Sequence, residues 1–100
     1  MHDDELLIGT LLDDTWLSLD QIALACAVEP DWLVYRIDAG FFPDAQSVAG
    51  VWRFTGGCLV RARRMRQIER DFEAVPELAA LVADMLDEID LLRAQLRRRC

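Results

Sequence analysis

Lysine is absent from this 100-residue sequence, so its eleven positive charges are all arginines, set against eighteen acids for a net charge of -7. A nucleic-acid binder ordinarily displaces counterions from phosphates with a basic patch. The front of this chain has none to offer: residues 1–60 hold ten acids against Arg36 and Arg53, while residues 61–100 hold eight acids and nine arginines. Histidine is nearly absent too, with His2 alone, and the three cysteines, Cys26, Cys58 and Cys100, stand far apart. Without a C-x-x-C pair or a Cys/His cluster there is no ligand set of the kind zinc needs, so no metal and no cofactor are expected. Cys26 and Cys58 are expected as small buried apolar residues and Cys100 as an exposed terminal one. No apolar run reaches membrane-spanning length, and an odd cysteine count without a leader pattern suits a reducing cytosol, so the expectation is a cytoplasmic protein off the membrane.

What is present is the composition of a folded chain, 53% apolar and 29% charged. One hundred residues predict one small domain over 1–100. The adjacent acids Asp13 and Asp14 have no base or nucleophile beside them and are expected in a solvated loop. No catalytic constellation can be assembled elsewhere, so the chain is not expected to be an enzyme.

Local signals divide the chain into four helices and a short strand. The stretch TWLSL predicts a short extended segment. Ser18 with Gln21 three residues on has capping-box spacing, so helix one begins near Leu19 and buries Leu19, Ile22, Ala23 and Cys26. Val28 and Glu29 make a turn. Pro30 suits the first position of helix two, which runs to about Ala39, with Gly40 as its stop. Leu33 and Ile37 face helix one, and Phe41 and Phe42 continue the core. The stretch AGVWRFTGG predicts a strand or wing around Val51, Trp52 and Phe54. Thr55 can cap helix three, roughly Cys58 to Ala74, whose inner stripe is Leu59, Ala62, Met65, Ile68 and Phe72. Its arginines Arg61, Arg63, Arg64, Arg66 and Arg70 are expected as a solvated face paired with acids rather than as a nucleic-acid patch.

Pro76 opens helix four, expected over 76–98. Leu78, Val82, Met85, Ile89, Leu92 and Leu96 alternate spacings of four and three, with β-branched Val82 and Ile89 at a positions and Leu or Met at d. The first half, also apolar at Leu81 and Leu86, is expected to pack on the body of the domain. The second half, Met85, Ile89, Leu92 and Leu96, is expected to meet another copy in a homodimer. The alternative is that the whole stripe is intramolecular core.

Helix, turn, helix, wing and a long closing helix is the plan of the MerR-like winged helix-turn-helix domains. The chain resembles them in LSLDQIALACAVEPDWLVYRIDAGFFP and AGVWRFTGGCLVRARRMRQI. The fold this implies is mainly α, with a minimal β-wing and a long C-terminal helix. DNA-binding members read V-S-P-R-T-L-R-Y-Y in the second helix and N-G-Y-R-x-Y-S in the wing. On that pattern Val28, Pro30, Leu33, Tyr35, Gly50 and Phe54 keep structural roles, but Asp31, Val34 and Trp52 stand where DNA-contacting arginines are expected. Such replacements remove phosphate contacts, so no specific nucleic-acid binding is expected.

Within this superfamily the tail PELAALVADMLDEIDLLRAQLRR is similar to the closing helix of the CbpM-type chaperone modulators. That resemblance implies a protein that binds the J-domain of a DnaJ/CbpA-like co-chaperone and inhibits its stimulation of DnaK. J-domains present a basic helix to DnaK, and an acidic, aromatic face suits such a surface. The face expected to bind comprises Asp31, Trp32, Tyr35, Arg36 and Asp38, with Trp52 adjacent. The alternative function is a MerR-like transcriptional regulator that reads DNA through Arg36, Arg53 and the helix-three arginines.

Overall fold

Six elements follow one another in the computed structural model, which describes residues 16–99: α1 (Leu19–Cys26), α2 (Pro30–Asp38), β1 (Gln46–Val48), β2 (Val51–Arg53), α3 (Gly56–Phe72) and α4 (Pro76–Arg99). The described residues are mainly helical, 69%, with one small two-stranded antiparallel sheet and a long C-terminal helix. His2, the acid pair Asp13 and Asp14, and Cys100 lie outside the described residues. Packing divides the chain into two units at the Arg63/Arg64 step inside α3.

In the first unit, α1 begins with the expected capping box. The Gln21 amide donates to Ser18 Oγ at 3.1 Å, and the Ser18 amide donates to Gln21 Oε1 at 2.8 Å, which satisfies two orphan donors at the helix start. α1 and α2 end by one device. Ala27, left-handed at φ 55°, donates to the Leu24 carbonyl while Val28 donates to that of Ala23. Gly40, at φ 85°, donates to the Ile37 carbonyl while Phe41 donates to that of Arg36.

Ile22, Ala23 and Cys26 of α1 are buried, as are Leu33 and Ile37 of α2, Phe42, and Cys58, Leu59 and Ala62 of α3. Leu19 and Phe41 are half-buried, less enclosed than their spacing implies. Leu17 is extended as expected and exchanges both backbone hydrogen bonds with Phe54, at 2.8 and 2.9 Å, which fixes the segment before α1 against the residue that follows β2.

β2 lies where the valine and tryptophan predict it, but its partner β1 carries no comparable signal. The register pairs Gln46 with Arg53, Ser47 with Trp52 and Val48 with Val51. The two-residue loop, Ala49 at φ 52° and Gly50 at φ 77°, has the doubly positive conformation that matches strand twist in tight hairpins. Thr55 caps α3, its Oγ1 accepting from the Cys58 amide at 3.3 Å, so α3 starts at Gly56, two residues before the expected start.

In the second unit, Met65 and Ile68 of α3 are buried as expected, but Phe72 is 77% exposed and does not join the inner stripe. Periodicity fixes the side on which a residue lies and not how far the cover extends. α3 ends there, and the chain turns through left-handed Glu73. α4 runs back along α3, and Arg64 of α3 donates to Asp87 and Asp90 of α4 at 2.8 and 2.5 Å. The Arg64 hydrogen bond holds the exposed Asp90 carboxyl below its ordinary pKa.

The buried face of α4 is Ala79, Ala80 and Ala83, whereas Leu78 and Leu81 are about half exposed. This corrects the expectation that the large residues of the first half form its buried side. Small side chains let a neighbouring backbone approach closely, and the leucines lie on the opposite side of the helix.

Candidate functional site

The face singled out on α2 is carried by a nine-residue helix held at both ends by Pro30 and Gly40. Asp31, Tyr35 and Asp38 are exposed, Trp32 is half-buried, and Leu33 and Ile37 anchor the opposite side. The outward set is therefore two carboxylates, a phenol and the edge of an indole.

Arg36 departs from the sequence expectation. It is 7% exposed, so it is not part of an open binding face. Its position four residues after Trp32 brings the planar guanidinium over the indole, 3.8 Å from the ring centre, and Nη1 donates to the Trp32 carbonyl at 2.7 Å. The Tyr35 ring lies 5.8 Å from the same guanidinium, so one cation backs both aromatic rings of the face. The stack fixes the orientation of Trp32 and withdraws from the surface the positive charge of the helix.

Trp52 belongs to a separate pair on the hairpin. Its ring, half-buried, stacks on that of buried Phe54 with centroids 6.3 Å apart and planes inclined by 24°. The structure thus gathers Trp32, Tyr35 and Arg36 into one cluster and sets Trp52 on another aromatic partner. Val48 and Val51, 46% and 61% exposed at the hairpin tip, are apolar surface that sequence reasoning missed. Strand pairing exposed them, and the only available signal was the doublet Ala49–Gly50 between the valines.

Arg61 and Arg64 of the helix-three run are engaged inside the protein. Arg61 Nε donates to the Phe41 carbonyl at 2.6 Å, fixing the segment after α2, and Arg64 is held by Asp87 and Asp90. Arg64 accordingly has the acid pairing expected for this run.

The residues singled out for self-association, Met85, Ile89, Leu92 and Leu96, are all exposed on α4. An open groove along the end of the helix is lined by Leu92, Gln95, Leu96, Arg98 and Arg99. Among the described residues no group of three or more His, Cys, Asp or Glu side chains is placed to hold a metal ion, and no helix is long and apolar enough to cross a membrane. Comparison with protein-family models, curated proteins and solved structures gives no match for this chain.

Proposed function

We propose that this protein is a non-enzymatic, cytoplasmic, protein-binding modulator of the CbpM type. It is built on a MerR-like winged helix-turn-helix domain in which α1 and α2 form the motif and β1–β2 the minimal wing. Its partner is the J-domain of a DnaJ/CbpA-like co-chaperone, and its effect is to block that partner's action on DnaK.

One observation carries this reading: α2 presents Asp31, Tyr35 and Asp38 to solvent while its arginine is drawn beneath Trp32. Such a face is acidic and aromatic, suited to a basic protein surface, where opposite charge speeds encounter and a rigid aromatic ring supplies anchoring energy. The same observation counts against the DNA-reading alternative, which needs Arg36 at the phosphates.

The test is calorimetric titration against a J-domain, alongside its stimulation of DnaK hydrolysis. Reversing charge with Asp31→Arg and Asp38→Arg touches neither Leu33 nor Ile37 and leaves the fold intact. It lowers affinity, and raising salt weakens the original complex more than the variant's. Tyr35→Ala, which spares the Arg36–Trp32 contact, costs about 2 kcal/mol of binding if the ring is a central anchor. A folded double-arginine variant that binds and inhibits like the original would sink this proposal, as would a tight, sequence-selective complex with duplex DNA at physiological salt.

A further inference from the structure

α2 is acidic at both ends, and only one of them suits its backbone. Asp31 lies in the first turn, where the helix macrodipole is positive and a carboxylate is favoured. Asp38 is the last helical residue, where the dipole is negative and a carboxylate is disfavoured. Among the described residues nothing offsets this, because Asp38 has no side-chain hydrogen bond or ion pair there. Arg36, the only base on the helix, reaches back one turn to the indole and carbonyl of Trp32 and so away from Asp38. A local rule broken without a compensating contact ordinarily marks a functional position.

The helical neighbours of Asp38 are Val34 and Tyr35, four and three residues back, and they are 36% and 57% exposed. A carboxylate, a phenol ring and an aliphatic side chain thus share one turn, open to solvent. We infer that this end of α2 receives an arginine side chain of the partner, and that Asp38 outweighs Asp31 in holding it. The inference rests on the modulator reading for the partner's identity and adds the group which that partner must present.

A guanidinium fits this turn better than an ammonium. It is planar, donates two parallel N–H groups to one carboxylate and stacks on an aromatic ring, while its methylene stem covers Val34. Arg36 lies 5.8 Å from the Tyr35 ring centre, at the outer limit of a cation–π contact, so the ring retains attraction for a second cation. The two acids differ in what they offer such a ligand. At Asp31 the positive end of the helix opposes an incoming cation, whereas at Asp38 the negative end adds to the carboxylate. They stand about 10 Å apart along the axis, at 1.5 Å per residue, so one guanidinium pairs with only one of them. The charge that attracts the ligand at Asp38 also destabilises the free protein.

The intact chain and its single variants test this in three ways. In urea unfolding, Asp38→Asn should raise the midpoint by about 0.3 M and Asp31→Asn should lower it by about as much. In calorimetric titration with a J-domain, Asp38→Asn should weaken binding about fivefold and Asp31→Asn less than about twofold. Nα-acetylarginine amide is a probe that does not depend on the partner. At millimolar concentration it should shift the backbone amide resonances of Tyr35 and Asp38, and Asp38→Asn should abolish the shift. The lysine analogue, which measures the attraction that a net charge of -7 exerts on any cation, should shift them less, and the neutral citrulline analogue not at all.

A J-domain that fails to bind while the arginine probe seats on Asp38 removes the modulator reading and leaves the arginine subsite standing. A J-domain that binds Asp38→Asn as well as the original, or loses more with Asp31→Asn, overturns the subsite and leaves that reading in place. So does an arginine probe that shifts these resonances no more than lysine does, or as much after Asp38→Asn. An Asp38→Asn midpoint that falls also overturns it, because Asp38 would then be serving the fold.

Discussion

In α2 the long apolar side chains Leu33 and Ile37 are buried and acids face outward, whereas in α4 three alanines are buried and the leucine stripe faces outward. Both helices are amphipathic by spacing, yet the apolar side means different things in each. α2 is nine residues long, and the surrounding elements of its unit enclose its two large side chains. α4 is 24 residues long and buries only small residues, Ala79, Ala80 and Ala83, which leaves its larger apolar side chains exposed among the described residues. A hydrophobic stripe thus identifies a face that wants cover, and only the packing shows whether the same chain provides it.

The sharpest way to break this comparison is to truncate one leucine in each helix. Leu33→Ala should cost about 3 kcal/mol, as expected for a fully buried leucine in a close-packed site. Leu92→Ala, at a residue 49% exposed, should cost less than about 0.5 kcal/mol. Urea unfolding followed by circular dichroism measures both. Equal losses would mean that α4's stripe is covered within the single chain.

A smaller effect is expected at the one place where α2 buries a charged group. Arg36→Met keeps the apolar stem but removes the stacked cation and its hydrogen bond to the Trp32 carbonyl. The loss should be about 1.5 kcal/mol. With Trp16 and Trp52 replaced by Phe, the emission of Trp32 should shift to the red and become more easily quenched. Unchanged emission would mean that Trp32 is held by something other than Arg36.

The smallest change separates the ends of α1 and α2. Ala27→Gly relieves a left-handed alanine and should raise stability by about 0.5 kcal/mol, because some of the gain is lost to a freer unfolded chain. Gly40→Ala should lower stability by about 1 kcal/mol. Beyond its two chain neighbours, nothing lies within 4 Å of the added methyl, so this cost is in the local backbone alone. Melting temperatures that move the same way in both variants would refute this account of the two stops.

What the sequence made legible was punctuation and core. Ser18 and Gln21, Pro30, Gly40, Thr55 and Pro76 each act within one turn of chain, and the ends they mark are where the structure has them, to within two residues. Ile22, Leu33, Met65 and their neighbours are buried because spacing and size agree. What was not legible depended on distant surroundings. β1 exists because β2 pairs with it, its three residues are all exposed, and Gln46–Val48 alone has no alternation to read.

Arg36 looks like a surface cation until the indole one turn back is seen to stack on it. Alanine faces such as that of α4 are invisible to a count of large apolar residues. Of the candidate site, Asp31, Tyr35 and Asp38 are exposed as their outward spacing implies, while the inward turn of Arg36 needed the structure.

Cys26 and Cys58 are both buried, one on α1 and the other in the first turn of α3. A thiol enclosed in this way reacts with a soluble reagent only while its surroundings are open, so its labelling rate measures how often that part of the protein opens. The two cysteines are therefore built-in clocks at two places in one unit. If α1 and the start of α3 come apart together, both thiols are modified at one rate set by a common opening. If α1 frays first, Cys26 is labelled ahead of Cys58, and the order in which the unit loosens is recorded without a probe being introduced.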